Sequence, residues 1–308
     1  MPFYFLLFPF YFSPELSKLM KNQKIFKLLV FAFVFSIFSV TCFAQTAPQF
    51  IKRTTYKSDT LEFGAGGTIS IIGAPNGSIE IEGWNKSEIE VSAEIEVQGA
   101  TESDLSKLSE VNGFVLDESS GHVRIISVGT HDKDYMKRTA KNFPKNLLGL
   151  PFRIDYKIKA PRYCDLNIDG GSGDLLIGNI DGSMKIKYLN SNAVFNLVGG
   201  AINATIGGGS VDVTIPTRGW RGRFADIQLA SGTMNIWLPL SFNAQIDASI
   251  LRTGQIENSI ATLKPRTRAK FTEKLISAKA GTGGVPLNFT VGDGILKISE
   301  LKKSELTN

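Results

Sequence analysis

The stretch that decides the fold is residues 166–215, LNIDGGSGDLLIGNIDGSMKIKYLNSNAVFNLVGGAINATIGGGSVDVTI. It repeats with a period of about eighteen residues, so positions of the same character align when the sequence is shifted by one period. The aligned positions are Leu166, Met184, Ile202; Ile168, Ile186, Ala204; Leu175, Ala193, Val211; Ile177, Phe195, Val213; and the small residues Gly173, Ser191, Gly209. Apolar residues recur at every second position, which is typical of half-buried strands. One repeat cannot bury its apolar face alone, so the pattern predicts a stack of repeats.

Clusters of Gly, Asn, Asp and Ser separate the apolar runs and are predicted to form the corners of the stack. We therefore predict an all-β fold. It is a single-stack parallel β-solenoid, or β-helix-like, domain with a small N-terminal β region and one short helix. The predicted segments are a signal peptide (1–44), a polar leader (45–60), the N-terminal β region (61–130) with a helix over 101–111, a basic insertion (131–150), the β-solenoid (151–299) and a tail (300–308).

The beginning of the chain has the order of a secretory signal peptide. Met20 is followed by three lysines, the apolar run 28–40 and then Cys42-Phe43-Ala44. This order predicts translation from Met20, cleavage after Ala44, and a periplasmic, cell-surface or extracellular protein whose signal segment is membrane-associated before cleavage. Because the apolar run is long, an uncleaved membrane anchor is the alternative. Cleavage would remove Cys42 and leave Cys164 without a disulfide partner in its own chain.

The charge of the chain argues against a nucleic-acid partner. The formal net charge is +5. Four lysines and one glutamate precede residue 45, so most of this charge belongs to the predicted signal peptide. The remainder lacks the basic excess that is typical of nucleic-acid-binding domains.

Side chains that could support catalysis are few. The chain has two histidines, His122 and His131, and neither is accompanied by a GxSxG motif or by a Cys and His cluster of zinc-site spacing. The glycine runs lead into predicted strands rather than into helices, unlike a phosphate-binding loop. The sequence therefore predicts a protein that is not an enzyme, with no catalytic, metal-binding or cofactor-binding residues and no cofactor.

Two polar sets have alternative interpretations. Clustered acids are the catalytic groups expected of a carbohydrate-active enzyme on a β-helix. The candidates here are Asp165, Asp169, Asp174 and Asp181. All but Asp165 adjoin a glycine, which favours a corner role through local hydrogen bonds to the backbone.

Three asparagines of one repeat suggest either a polar ladder along the stack or turns with left-handed backbone. They are Asn190, Asn192 and Asn196.

The segment TRGWRGRF, residues 217–224, interrupts the repeat and is predicted to contact a ligand. An exposed Trp among arginines is typical of contact surfaces, and guanidinium groups bind carboxylates and phosphates. The predicted contact residues are Arg218, Trp220, Arg221, Arg223 and Phe224. The predicted partners are an anionic polysaccharide, a lipid headgroup or an envelope protein. In the alternative, Trp220 and Phe224 pack back onto the end of the solenoid. The basic segments 133–145 and 264–274 are candidates to extend the surface.

Four stretches carry a resemblance to a known family. They are GTISIIGAPNGSIEIEGW (67–84), KIKAPRYCDLNIDGGSGDLLI (157–177), SGTMNIWLP (231–239) and GTGGVPLNFTVGDGILKI (281–298). Together they resemble the bacterial putative-adhesin family, a domain of unknown function among the toastrack-like β-solenoids. The resemblance covers most of residues 61–299. It implies an exported or envelope-associated module for adhesion, binding or scaffolding. A carbohydrate-active enzyme and an envelope sensing or regulatory partner protein are the alternatives.

Overall fold

The computed structural model describes residues 50–216, 220–239 and 242–301. These residues form one sheet of 17 strands and two α-helices. The strands are β1 (Ile51–Glu62), β2 (Thr68–Ile72), β3 (Ile79–Trp84), β4 (Glu88–Gly99), β5 (Gly113–Ser119), β6 (His122–Val128), β7 (Phe152–Pro161), β8 (Asp165–Ser172), β9 (Leu175–Gly178), β10 (Ser183–Asn196), β11 (Gly199–Thr214), β12 (Arg221–Leu238), β13 (Ala244–Ile250), β14 (Gly254–Asn258), β15 (Lys264–Pro265), β16 (Leu275–Ala280) and β17 (Val285–Glu300). The helices are α1 (Glu102–Val111) and α2 (Lys133–Thr139), and Lys145–Leu147 forms a 3-10 turn.

The long strands pair with different neighbours along their two halves. The first half of β10 pairs in parallel with β8, and its second half pairs in parallel with β9. We call the strand segments aligned with the first half of β10 the front face, and those aligned with its second half the back face. The front face runs in the order β5, β6, β2, β8, β10, β11, β12, β17, β13, β16, β15, and the back face in the order β1, β4, β7, β3, β9, β10, β11, β12, β17, β14. A rung is one front segment with its back segment.

The register of the rungs confirms the predicted columns. Met184 lies between Leu166 and Ile202, and Phe195 lies between Ile177 and Val213. These side chains are buried in one continuous core, and Phe195 is 0 % exposed. The predicted all-β, mostly parallel fold with a short helix is therefore confirmed.

The corner between the two faces is a column of glycines. Its members with positive φ, between 110° and 151°, are Gly77, Gly173, Gly209, Gly232, Gly254 and Gly294. Ser191 occupies the same column beside Gly209 and does not have a positive φ. Residues with a Cβ rarely adopt the conformation of these glycines, which explains the glycine-rich composition of the corners.

The order of the last rungs differs from the order along the chain. The predicted solenoid closes with residues 285–298 at its end. In the structure, β17 instead lies between β12 and the rung formed by β13 and β14. The first half of β17 therefore lies between β12 and β13, and its second half lies between β12 and β14. The final strand of the chain is thus part of the middle of the core.

Antiparallel strands cover both ends of the stack. β4 pairs with β7 and β1 pairs with β4 at one end, and β16 and β15 extend β13 at the other. Most of the predicted leader is thus the edge strand β1, because residues 51–60 pair along β4. Strand β1 pairs with β4 alone and most of its residues are exposed, so it contains few apolar residues and its composition resembles that of a loop.

The predicted helix over 101–111 is present as α1. The Thr101 hydroxyl accepts a hydrogen bond from the Asp104 amide at 3.1 Å, which caps the first turn. Leu105, Leu108 and Val111 are buried. The basic insertion contains α2 and the 3-10 turn.

The predicted signal peptide, Arg218 and most of the predicted tail lie outside the described residues. Cys164 is a free, buried cysteine, and burial raises the pKa of its thiol to about 12. In the described part of the chain, no helix is both long enough and apolar enough to span a membrane.

Candidate functional site at Phe224

The predicted contact segment divides into a buried and an exposed part. Trp220 is 7 % exposed and its ring centroid lies 6.5 Å from that of Phe242. A Cβ atom on Gly222 would lie 1.9 Å from the indole ring, so this glycine makes room for the side chain. Trp220 is therefore part of the core, as in the alternative interpretation, and the prediction of an exposed Trp at this position is wrong.

Arg221, Arg223 and Phe224 remain at the surface, and Phe224 is 40 % exposed. The register between β11 and β12 shifts at this point, because Gly222 pairs with Gly200 but Phe224 pairs with Ala201. Arg223 is the extra residue of a β-bulge. A bulge alters the alternation of side chains, and here two consecutive residues, Arg223 and Phe224, are exposed.

Phe224 borders a groove on the outer surface of the front face, with a volume of ≈ 350 Å³. The strand alternation that buries Met184, Ile186 and Ile202 turns the intervening residues outward. The exposed side chains that line the groove are Asn167, Lys185, Lys187, Asn203, Thr205 and Phe224. We call this the Phe224 groove. It is at the lower end of the size range of small-molecule sites.

The Phe224 groove is polar and contains two positive charges. Lys185 lies between Asn167 and Asn203 in the register, and Lys187 lies between Asp169 and Thr205. Among the described residues neither lysine forms an ion pair. The ammonium groups and the side-chain amides can donate hydrogen bonds to carboxylate or hydroxyl oxygens, and the aromatic ring offers apolar area.

Sequence reasoning identified Phe224 and Arg223 but missed the other residues of the groove. These residues could have been found from the period of about eighteen residues, because polar positions also align when the sequence is shifted by one period. Asn167, Lys185 and Asn203 form one polar column between two apolar columns, and Asp169, Lys187 and Thr205 form the next. The apolar columns predict the core, and these polar columns between them lie on the outer surface.

Two of the four aspartates proposed as catalytic acids in the enzyme alternative make side-chain hydrogen bonds between rungs, whereas the side chains of Asp169 and Asp181 make none among the described residues. Asp165 accepts a hydrogen bond from the Ser183 amide at 2.6 Å, which joins two successive rungs. Asp174 accepts a hydrogen bond from the Asn192 side chain at 3.1 Å. Asp169 lines a different surface cleft, beside Gly170.

The asparagines favour the ladder interpretation at one position. Asn192 donates to Asp174 and accepts from the Ser210 hydroxyl at 3.0 Å, so three rungs are joined by side chains. Asn190 and Asn196 do not take part in this ladder. None of the three asparagines has a positive φ, so the prediction of left-handed turns is wrong.

Two histidine environments could suggest catalysis. The Ser70 hydroxyl and His122 Nε2 lie 2.8 Å apart on neighbouring strands. In the described part of the chain no carboxylate bonds to the other ring nitrogen, so the pair lacks the orienting third group of a triad. His131 is stacked on Phe152 with ring centroids 5.2 Å apart, and desolvation lowers the pKa of its ring. The described residues contain no group of three side chains suited to a metal ion.

The two basic segments lie at opposite ends of the stack. Lys133 lines a cleft together with Ile72 and Asp169, beside the first rungs. Lys264 is on β15, which extends the last rung. The intervening rungs separate them, so they cannot jointly extend one surface around residues 217–224.

The solved structures similar to this chain include two named as putative adhesion proteins and one named as a putative lipid binding protein. A putative cell adhesion protein from Clostridium sporogenes aligns over 81% of this chain and 100% of its own, with 15% identity and a TM-score of 0.44. A putative adhesin from Bacteroides fragilis aligns over 83% of this chain and 98% of its own, with 12% identity and a TM-score of 0.24. A putative lipid binding protein from Parabacteroides distasonis aligns over 80% and 97%, with 11% identity and a TM-score of 0.26. No protein-family model and no curated protein matches the sequence.

Proposed function

We propose that this protein is an exported, non-enzymatic β-solenoid of the cell envelope or cell surface that binds an anionic polysaccharide through the Phe224 groove. The observation that carries the proposal is the position of Phe224, exposed beside Lys185 and Lys187 on the polar front face. Adhesion or scaffolding in the envelope follows from binding such a polymer.

The chemistry of the groove suits an acidic sugar chain. Lysine ammonium groups form charge-assisted hydrogen bonds with carboxylates, which are about twice as strong as neutral hydrogen bonds. Asn167 and Asn203 flank Lys185 and offer both donors and acceptors to hydroxyl groups. The exposed ring of Phe224 can pack against the apolar face of a sugar ring, and Arg223 adds a third cation beside it.

The regular spacing of the rungs supports a polymer rather than a small ligand. Neighbouring parallel strands lie about 4.8 Å apart, so the polar columns present donors at regular intervals along the front face. On β12 the next residues of these columns are Asp226 and Gln228, and the Gln228 amide donates to the Asp226 carboxylate at 3.3 Å, so the surface suited to an anion ends at β11 and Phe224. The enzyme alternative is less favoured because Asp165 and Asp174 are engaged in hydrogen bonds between rungs.

A binding assay with charge-matched variants tests the proposal. Immobilised polygalacturonate, neutral dextran and vesicles of phosphatidylglycerol are compared at low salt and at about 0.15 M salt, where the screening length is about 8 Å. The test variant carries Lys185→Ser and Lys187→Ser. The control carries Lys107→Ser and Lys141→Ser, which removes the same charge from a different surface cleft.

We expect the parent protein to bind polygalacturonate, to bind dextran at least tenfold more weakly, and to lose affinity as salt is raised. The test variant is expected to lose at least tenfold in affinity, and the control to keep it. Stronger binding to the vesicles would favour a lipid headgroup as the partner. Failure of the parent to bind polygalacturonate, or equal losses in test and control variants, would overturn the proposal.

A further inference from the structure

We propose that strand β1 is an interface between two copies of this chain. In this arrangement β1 pairs antiparallel with β1 of a second copy about a two-fold axis, and Tyr56 lies opposite Tyr56 of that copy. The back faces of the two copies then form one continuous sheet. The Phe224 groove is not part of this surface, and the inference does not depend on the function proposed for that groove.

The first observation is the free edge of β1. Four strands of the described residues pair on one side only, and they are β1, β5, β14 and β15. β14 and β15 have five and two residues, and the Ile256 amide of β14 donates to the Glu273 carbonyl at 2.7 Å. The Phe114 carbonyl of β5 accepts a hydrogen bond from Lys57 at 2.7 Å. Short or covered edges protect a sheet against pairing with another chain, whereas β1 has 12 residues.

The second observation is the direction of the backbone groups of β1. Just beyond the strand, the Phe63 amide continues the register and donates to the Ser87 carbonyl on the β4 side at 3.0 Å. Successive residues of a strand direct these groups to opposite sides. The odd-numbered residues of β1 therefore bond to β4, and the even-numbered ones point to the free edge. In agreement, the Thr60 amide donates to the adjacent Asp59 carboxylate at 2.9 Å rather than to a strand.

Pairing with a second copy gives partners to these even-numbered residues. With Tyr56 at the centre, five residues of each strand exchange hydrogen bonds across the interface, which adds about ten backbone hydrogen bonds. The five residues are Lys52, Thr54, Tyr56, Ser58 and Thr60.

The side chains of β1 complement themselves in this alignment. Arg53 lies opposite Asp59 of the second copy, and the two-fold axis repeats the pair, so two pairs of opposite charge form. Ile51 lies opposite Leu61 in the same way, which places apolar side chains together at both ends of the interface. The sequence of the strand therefore fits a second copy of itself.

The charges of β1 also exclude the neighbouring alignments. Charged side chains on an edge strand usually oppose pairing, because like charges meet. With Tyr56 at the centre, both lysines of the strand face threonines. A centre at Lys57 instead places the two copies of this lysine opposite each other, and a centre at Thr55 places Lys57 opposite Arg53. Centres further along the strand leave more of it unpaired.

The third observation is the exposure of the central residue. Tyr56 is 77 % exposed, more than any other large apolar or aromatic side chain among the described residues. Tyrosines near the centre of an interface are among the residues that contribute most to binding. A single pair of strands buries less than the about 1,600 Å² of a standard interface, so the dimer is expected to dissociate on dilution.

Analytical ultracentrifugation of the whole exported protein tests this interface through a reversal of charges. The variants are Arg53→Asp, Asp59→Arg and the double variant that carries both. Each single variant places like charges opposite each other at two positions, whereas the double variant restores opposite charges. The double variant is therefore the matched control for the loss of each native side chain.

We expect the parent to form dimers as its concentration is raised. Each single variant should weaken the association at least tenfold, and the double variant should return to within about threefold of the parent. The melting temperature of the monomer should change little, because the ion pair of Arg53 with Glu102 is exposed. A parent that stays monomeric, single variants that associate like the parent, or a double variant that does not recover would overturn the proposal.

A disulfide test measures the alignment itself. A residue at the two-fold axis faces its own copy, with Cα atoms about 5.5 Å apart, which is within the range of a disulfide. Tyr56→Cys should therefore form a disulfide-linked dimer on a non-reducing gel. Ser58→Cys is the control, because it faces Thr54 and lies about 14 Å from its own copy. The native Cys164 is buried and should not contribute. Equal cross-linking of the two variants, or none in Tyr56→Cys, would contradict the alignment.

Discussion

Gly294 on β17 lies in register with Gly232 on β12, and a Cβ atom on Gly294 would lie 1.8 Å from the carbonyl oxygen of Gly232. The same contact recurs between Gly232 and Gly209, where the corresponding distance is also 1.8 Å. At these two rungs the corner is thus held directly against the backbone of the neighbouring rung, and only a hydrogen atom fits between them.

This contact predicts that Gly294→Ala is strongly destabilising. The φ of Gly294 is 141°, a conformation that costs a residue with a Cβ about 1–3 kcal/mol, and the steric overlap adds to that cost. We expect the free energy of unfolding to fall by at least about 2 kcal/mol in urea denaturation. Gly64 has nothing within 4 Å of its Cβ position and no positive φ, so Gly64→Ala is the control. It should leave stability unchanged or raise it by up to about 1 kcal/mol. Similar effects at the two positions would be inconsistent with the corner column.

The ladder through Asn192 predicts a smaller effect. Asn192→Ala removes the hydrogen bonds to Asp174 and Ser210, which join three rungs. Because the ladder is exposed, we expect a loss of about 0.5–1.5 kcal/mol in the free energy of unfolding. Asn190→Ala is the control, since Asn190 is an exposed asparagine of the same strand outside the ladder. If thermal and urea denaturation showed the same stability for both variants, the ladder would have no energetic role.

The hydrogen bonds of Asp293 are expected to make the stability of the fold sensitive to acid. Hydrogen bonds from Arg252 and Thr253 lower the pKa of this carboxyl from 3.8 to about 2. A folded-state pKa below the unfolded value means that the contribution is present above about pH 4 and is lost as the pH falls towards 2. We expect Asp293→Asn to be less stable than the parent at pH 5 and to show a smaller further decrease between pH 4 and pH 2. Parallel stability curves for the two proteins over that interval would contradict the role of Asp293.

The proposed export predicts a defined N-terminus. If translation starts at Met20 and cleavage follows Ala44, the exported protein begins at Gln45. N-terminal sequencing of the protein recovered from the envelope or medium measures this directly. A recovered protein that retains residues 28–40 would instead indicate an uncleaved anchor.

The register of the central rungs could be predicted because it is local. Leu166, Met184 and Ile202 are separated by one period, and consecutive rungs are neighbours in the structure. The position of β17 could not be predicted in this way. Its alternation of apolar residues fits any rung, and its insertion between β12 and β13 depends on contacts between segments far apart in sequence.

The candidate site was predictable only in part for the same reason. The exposure of Phe224 and Arg223 follows from a bulge that the sequence of one strand does not reveal. Burial of Trp220 depends on Phe242, about twenty residues further along the chain, and on the space left by Gly222. A Trp among arginines has the composition of a contact loop, but tertiary packing determines whether it is exposed.

Covalent labelling of lysines in the presence of polygalacturonate tests the central claim, binding at the Phe224 groove, most directly. Acetylation of each lysine is read by mass spectrometry with and without the polymer. The account predicts that Lys185 and Lys187 become protected, while Lys107 and Lys141 in the other basic cleft are labelled as before. Unchanged labelling of Lys185 and Lys187, or protection confined to Lys107 and Lys141, would contradict it.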